Sequence, residues 1–182
     1  MNTRFKLTVA LLSLLGSVSI ASAIPQRDHL TELEVERVKE AQILDKRIEV
    51  FIKATDRRLI VLNGTQAANA KVLKKDTDLW GELPTGSQSE LIGDIARILD
   101  EAITNIDDVS SRDDRNPLIP KALRRLAQAV NNIMTQVAPY KDKAKTDAEI
   151  ASLEMLNEDA QQILEAANKL PPELPKKGKS KN

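Results

Sequence analysis

Apolar residues recur along most of this chain at steps of three and four positions, which is the period of an amphipathic α-helix. No segment alternates apolar and polar residues for long enough to predict a β-strand. Four helical segments are separated by short stretches that contain glycine, proline, asparagine or aspartate. Because short connections favour antiparallel neighbours, the predicted fold class is all-α, an antiparallel up-down four-helix bundle with a long first helix.

The first predicted helix runs from about Thr31 to Leu62. Thr31 and Glu34 have the spacing of a capping box, and Asn63 and Gly64 are typical of the residues that end a helix. A helix of this length would be about 48 Å long at 1.5 Å per residue. Its apolar stripe comprises Leu30, Leu33, Ala41, Leu44, Ile48, Phe51, Leu59 and Leu62.

The segment from Thr65 to Trp80 is ambiguous, because its alanines favour a helix while the sequence Asp76-Thr77-Asp78 interrupts one. We interpret it as a short helix, or a frayed extension, that leads into a loop from Gly81 to Gly86. Trp80 is expected to pack against one end of the bundle, since tryptophan is highly buried on average. The alternative is an exposed Trp80 that recognises a ligand.

The second predicted helix opens with a capping box formed by Ser87 and Glu90, and it is expected to fray over residues 107–115. Its apolar face is wide, which predicts contact with more than one neighbouring helix. That face comprises Leu91, Ile92, Ile95, Ile98, Leu99, Ala102, Ile103, Ile106 and Val109.

The third predicted helix begins at Asn116-Pro117 and ends near Pro139, because proline cannot continue the ladder of backbone hydrogen bonds. The fourth begins with a capping box at Thr146 and Glu149 and stops at Pro171-Pro172. Their apolar faces comprise Ile119, Leu123, Leu126, Val130, Ile133 and Val137 in the third helix, and Leu153, Leu156, Ala160, Ile163, Ala167 and Leu170 in the fourth.

The start of the chain has the pattern of a secretory signal peptide. Arg4 and Lys6 precede an apolar run from Leu7 to Ile20, and small residues at Ala21 and Ala23 predict cleavage after Ala23. The apolar run would span about 21 Å as a helix, less than the hydrocarbon core of a bilayer at about 30 Å. The predicted product is therefore an exported protein that does not span a membrane after cleavage; an uncleaved tether is the alternative.

The predicted domain organisation is a signal peptide over residues 1–23, a helical bundle over residues 24–170 and a disordered basic tail over residues 171–182. Loss of Arg4 and Lys6 from the 27 basic residues leaves 25, against 27 acidic residues, so the mature net charge is −2. This near balance favours no nucleic-acid partner. The tail carries Lys176, Lys177, Lys179 and Lys181 against Glu173, a local charge of +3, and has too few apolar residues to order itself.

The residue types present leave little scope for a cofactor or a metal. The chain has no cysteine and one histidine, His29, which excludes thiolate sites and sites that need two histidines. A haem held by His29 and Met155 is excluded because His29 is expected beside the end of the fourth helix, about 22 Å along it from Met155. Because only Thr55 interrupts the apolar stripes, no catalytic cluster is expected inside the bundle.

Three charged clusters are candidate binding sites. The aspartates of residues 107–114 lack the order of a calcium loop and alternate with arginines, which favours a solvated, neutralised loop. Two arginine pairs, Arg57-Arg58 and Arg124-Arg125, could clamp an anion, but ion-paired surface residues are the favoured interpretation.

Three stretches resemble a group of uncharacterised exported bacterial helical-bundle proteins. They are Leu79 to Gly86, Ile95 to Asp108 and Pro117 to Ala127. None of them is a chemical motif, so the resemblance implies a helical fold and a bacterial envelope setting, and no activity.

We therefore expect a non-enzymatic protein-interaction or scaffold module of the cell envelope, whose partner is an envelope protein or a second copy of the chain. The alternative is a carrier that holds a small apolar or lipid-like ligand between its helices. The candidate interaction residues are Trp80, Arg124, Arg125, Lys176, Lys177 and Lys179.

Overall fold

The computed structural model describes residues 27–172, and all regular structure within this range is helical. The predicted all-α class is therefore confirmed. None of the described helices combines the length and apolar character that crossing a membrane requires. Ala21 and Ala23 of the predicted signal, and Lys176, Lys177 and Lys179 of the tail, lie outside the described residues. The helices are α1 (Glu32–Glu40), α2 (Leu44–Leu62), α3 (Ala70–Trp80), α4 (Gln88–Arg112), α5 (Leu118–Lys141) and α6 (Asp147–Asn168).

Three helices begin at the predicted capping boxes. In each, the N-cap hydroxyl accepts a hydrogen bond from a backbone N–H three residues later, and the glutamate there accepts one from the N-cap backbone N–H. Because a capping box joins residues only three positions apart, the start of such a helix can be predicted from a few residues of sequence. The pairs are Thr31 with Glu34, Ser87 with Glu90, and Thr146 with Glu149.

The predicted continuous first helix is wrong, because the chain breaks at residues 41–43 into α1 and α2. Ala41 leaves the helical region with a ψ of 79°. The carbonyl groups exposed by the break find side-chain donors: Gln42 Nε2 donates to the Lys39 carbonyl (2.5 Å), and Arg47 Nε donates to the Ala41 carbonyl (3.0 Å).

The physical reason for the break lies further along the chain. The Glu34 carboxylate accepts hydrogen bonds from Arg57 and Arg58, which follow it by 23 and 24 residues. On one continuous helix these residues would be about 35 Å apart. The ion pairs form only because α1 folds back along α2.

The four longer helices enclose one aliphatic, bundle-like core. α2 and α6 each contact both α4 and α5, and the predicted contact of α4 with several neighbours is confirmed. Most of the predicted apolar stripe positions are buried, while Leu33 is 39% exposed. Fully buried core residues include Ile48, Phe51, Ile95, Leu99, Leu126, Val130 and Leu156.

α2 and α5 run parallel to each other. Near the start of both helices Asp45 forms an ion pair with Lys121, and near their ends Asn63 Nδ2 donates to Gln136 Oε1 (3.0 Å). Neighbouring helices of a simple up-down bundle run antiparallel, so the prediction that all neighbours are antiparallel is wrong for this pair.

α4 and α6 are the second parallel pair. Gly93 faces Ser152 near the start of both helices, and Ile106 and Ile163 line one groove near their ends. The direction of the four longer helices still alternates along the chain. The sequence order therefore differs from the order in space, where α2 and α4 form one layer and α5 and α6 form the other.

Several helix ends depart from the predicted ones. α4 remains helical to Arg112 instead of fraying from Asp107, and α5 continues for two residues beyond Pro139 to Lys141. The Tyr140 hydroxyl donates to the Leu62 carbonyl (2.6 Å), which holds the last turn of α5 against α2. The short-helix interpretation of residues 65–80 is confirmed by α3.

Candidate functional site

An open cleft of about 530 Å³ lies between the segment 27–33 and the loop 80–85, and we call it the Trp80 cleft. One wall is the approach to α1, and the other is the end of α3 with the loop that follows it. Its apolar lining residues are Leu30, Leu33, Trp80, Leu83 and Pro84.

Behind the Trp80 cleft, Glu34 of α1 meets Arg57 and Arg58 of α2. All three side chains are at most 1% exposed. The carboxylate of Glu34 accepts from Arg57 Nε (3.0 Å), Arg58 Nη1 (2.7 Å) and Arg58 Nη2 (2.8 Å). The expectation that only Thr55 interrupts an apolar interior is therefore wrong. Arg57 and Arg58 are ion-paired as expected, but they are not surface residues.

Arg57 also braces the loop that forms the second wall. Its Nη2 donates to the carbonyl oxygens of Trp80 (2.9 Å), Gly81 (3.2 Å) and Glu82 (2.5 Å). The guanidinium lies 5.9 Å from the centre of the Trp80 ring, within the range of a cation–π contact. These contacts link the buried Glu34 directly to the shape of the loop.

Gly81 occupies a backbone conformation that suits only glycine, with φ 66° and ψ −166°. A Cβ atom at this position would lie 2.8 Å from Cδ1 of Leu33, on the opposite wall. The two walls therefore touch where α3 ends, and the sequence signal for this contact is the glycine itself.

The first wall is anchored on α4 by Arg27. Its Nη2 donates to Asp94 Oδ2 (2.7 Å), and Asp94 is 1% exposed. Burial raises the pKa of Asp94, and the neighbouring arginines, Arg27 first, partly offset this rise. Arg58 Nη2 donates to the His29 carbonyl (2.5 Å), so α2 holds the same segment.

The prediction that His29 lies beside the end of the fourth predicted helix is wrong. Its Nε2 is 2.9 Å from Glu101 Oε2 of α4, so it contacts the second predicted helix and not the end of the fourth. The cause is the break at residues 41–43, which lets the segment before α1 lie over α2 and α4.

The surface of the Trp80 cleft is acidic, although two arginines stand behind it. Asp28, Glu32 and Glu82 are exposed, and within residues 27–172 none of them forms an ion pair. Glu34 and the loop carbonyls already accept hydrogen bonds from Arg57 and Arg58, so these arginines do not present a clamp to an anion in the cleft. The arrangement favours a cationic ligand.

Of the predicted interaction residues within residues 27–172, Trp80 lies at this cleft, whereas Arg124 and Arg125 do not. Trp80 is half-buried and lines it, which places the ring at the end of α2 beside Arg57. Arg125 forms an ion pair with Glu49 of α2, about 13 Å along that helix from Arg58. Arg124 lies on α5, in the layer opposite the cleft, and donates to the Pro171 carbonyl in that same layer. Within residues 27–172 no three carboxylate or histidine side chains lie close enough to hold a metal ion.

A smaller groove of about 190 Å³ lies between α4, α5 and α6. Its lining is mainly aliphatic, and it opens beside the end of α6. Its apolar lining residues are Ile103, Ile106, Ile119, Leu123, Ile163 and Ala166.

Comparisons of the chain with protein-family models, curated proteins and solved structures find no match.

Sequence reasoning missed the buried charges although the sequence carries a signal for them. Arg58 follows Phe51 by seven positions, and Asp94 lies between Leu91 and Ile98 at steps of three and four. These spacings place both charged residues on apolar helix faces. A charge on such a face predicts a buried partner, because an unpaired buried charge is strongly destabilising.

Proposed function

We propose that this chain is an exported, non-enzymatic protein-interaction or scaffold module of the bacterial cell envelope, with the Trp80 cleft as its binding surface. The observation that carries the proposal is the bracing of both walls by one buried ion-pair cluster, Glu34 with Arg57 and Arg58. A cleft whose walls are fixed before binding loses little conformational entropy when a partner binds.

The cleft has the composition of a protein-binding surface. Trp80 offers a large aromatic face, Leu33 is exposed beside it, and the rim carries Asp28, Glu32 and Glu82. Aromatic and apolar anchors inside a polar rim are typical of the energetically important part of an interface. In this proposal the four longer helices act as a four-helix-bundle scaffold that presents the cleft.

The non-enzymatic part of the proposal is supported by how the polar groups around the cleft are engaged. The Thr31 hydroxyl accepts from the Glu34 backbone N–H and so serves as the cap of α1. His29 pairs with Glu101 on α4. The envelope location rests on the signal pattern of residues 1–23, which lie outside the described range.

Site-specific photocrosslinking in the native envelope tests the proposal. A photoreactive amino acid is placed at Leu33, in the cleft, and in a matched variant at Gln128, an exposed position on α5. We expect a discrete protein adduct from position 33 and none from position 128. The proposal fails if position 33 yields no adduct, or if both positions yield the same adducts in equal amounts.

The alternative, a carrier of a small apolar or lipid-like ligand, has weaker support. The groove between α4, α5 and α6 measures about 190 Å³, whereas ligand pockets commonly hold about 300–1,000 Å³. Native mass spectrometry of the protein from its own host distinguishes the two. A co-purified apolar ligand that is lost from an Ile163→Trp variant would favour the carrier.

A further inference from the structure

We infer that the Trp80 cleft binds the basic tail, residues 173–182, of a second copy of this chain. The inference rests on the proposed function, because it names the partner of the same cleft. Two features of the molecule carry it: the opposite charges of the cleft and the tail, and the position of Pro171, just before the tail, on the layer of helices opposite the cleft.

The exposed carboxylates of the cleft favour a positively charged partner. Asp28, Glu32 and Glu82 are exposed and form no ion pair within residues 27–172. The positive end of the α1 dipole stabilises Glu32, but Asp28 and Glu82 lie outside the helices. Arg27, which also lines the cleft, already pairs with Asp94 (2.7 Å) and with Glu90 (3.7 Å).

The tail has the matching chemistry. It carries four lysines against Glu173, and Leu174 and Pro175 precede the first lysine. The cleft offers Leu33, which is 39% exposed, and the half-buried Trp80 as apolar surface beside its carboxylates. An apolar pair followed by lysines therefore fits an apolar floor with an acidic rim. The lysines are Lys176, Lys177, Lys179 and Lys181.

The position of Pro171 favours a second copy over the same molecule. The Pro171 carbonyl accepts a hydrogen bond from Arg124, so the last described residues lie at the layer of α5 and α6. The cleft lies over the layer of α2 and α4. Two layers of helices are about 20 Å thick. Leu174, the apolar residue that would meet the floor of the cleft, follows Pro172 by two residues and reaches at most about 7 Å, so it cannot cross to its own cleft.

A nearer acidic cluster provides the matched control. Asp113 and Asp114 are exposed in the connection between α4 and α5, on the same side of the molecule as the end of α6. Arg112 and Arg115 flank them, so the local charge is largely offset. If the tail folded onto its own molecule, this cluster would be its first acceptor.

Analytical ultracentrifugation of the mature full chain, residues 24–182, tests the inference with three variants. The cleft variant is Asp28→Asn/Glu32→Gln/Glu82→Gln, the control variant is Asp113→Asn/Asp114→Asn, and the tail variant replaces all four tail lysines by glutamine. Circular dichroism checks that each variant keeps its helicity. The unmodified chain should self-associate, and 0.5 M salt should weaken that association.

The cleft and tail variants should each weaken self-association by about tenfold, and the control variant should leave it unchanged. An equimolar mixture of the cleft variant and the tail variant should associate again, and it should stop at a dimer. Only one pairing of intact cleft and intact tail remains in that mixture, whereas the unmodified head-to-tail contact can continue from copy to copy.

Three results would overturn the inference: a monomeric unmodified chain, a control variant as weak as the cleft variant, or a mixture that fails to associate. Failure of the proposed function is seen separately, in the crosslinking experiment. If position 33 still gives an adduct with another envelope protein, the cleft remains a binding surface and only the identity of its partner is wrong.

Discussion

Replacing Glu34 by glutamine isolates the contribution of the buried ion pairs. Glutamine keeps the shape of the side chain but removes the charge that three N–H groups of Arg57 and Arg58 approach at 2.7–3.0 Å. The nearest other carboxylate to Arg58, on Asp94, is 4.0 Å from its Nε. Removing one partner of a buried ion pair costs about 3–5 kcal/mol. Since a domain is stable by about 5–15 kcal/mol, this loss is a large fraction of the total.

Urea denaturation followed by circular dichroism measures this cost, and thermal denaturation should show a melting temperature lower by about 6–20 °C for a chain of this size. The matched control is Glu36→Gln, on the same helix, because Glu36 is 53% exposed and its ion pair is with the exposed Lys39. That change should leave the urea midpoint nearly unchanged, because an exposed ion pair contributes little to stability.

A Glu34→Gln variant within about 1 kcal/mol of the unmodified chain would refute this reasoning, because the buried arginines would then tolerate the loss of their partner. A double-mutant cycle provides an internal check. Glu34→Gln combined with Arg58→Met should cost less than the sum of the single changes by about 1–3 kcal/mol, since the second change removes one of the stranded charges.

Three further predictions concern single positions. Gly81→Ala should cost about 2 kcal/mol in urea denaturation because of its backbone conformation, whereas Gly64→Asn, with nothing near its Cβ position, should cost less than about 1 kcal/mol. Burial, and then two neighbouring carboxylates, raise the pKa of Asp159 to about 6. Its contribution to the free energy of unfolding should therefore fall as the pH rises from about 4 to about 6, and Asp159→Asn should raise stability at pH 7.5 by about 1 kcal/mol, measured by urea titrations at pH 4.5 and 7.5. Ser87→Ala should cost about 1 kcal/mol and increase hydrogen exchange in the first turn of α4.

Features that depend on neighbours in sequence were predictable. The capping boxes at Thr31, Ser87 and Thr146 form because a side chain meets a backbone group three residues away. The apolar faces of α4, α5 and α6 were predictable for the same reason, since helical spacing alone decides which side chains share a face.

Features that depend on distant residues were not predictable from local patterns. Ala41 and Gln42 are good helix formers, and the apolar stripe continues through the break from Ala41 to Leu44. The break is instead required by Glu34, which reaches Arg57 and Arg58 only when α1 folds back. The parallel pairs were missed for a related reason, because short connections fix the alternation of direction but not which helices become neighbours.

The candidate site was therefore only half visible in the sequence. Trp80 and Gly81 stood out as a rare aromatic residue and a helix-ending glycine, and both line the Trp80 cleft. Arg57, which connects them to α1, stood out only as one of an arginine pair, and its buried role was missed because its partner Glu34 lies 23 residues earlier. Local sequence patterns identified residues of one wall of the cleft, but not the ion pair of Arg57 with Glu34 that holds this wall in place.

Stability alone does not explain why buried ion pairs, and not apolar side chains, hold the walls of the cleft. Apolar residues at the positions of Glu34, Arg57 and Arg58 could stabilise the core as well as the ion pairs do, because desolvation offsets most of the attraction between buried charges. Apolar side chains could not, however, donate to three loop carbonyls while holding α1 in place. Arg57 does both, through Nε to Glu34 and through Nη2 to residues 80–82. The buried charges are thus better explained by the position of the cleft walls than by the stability of the core.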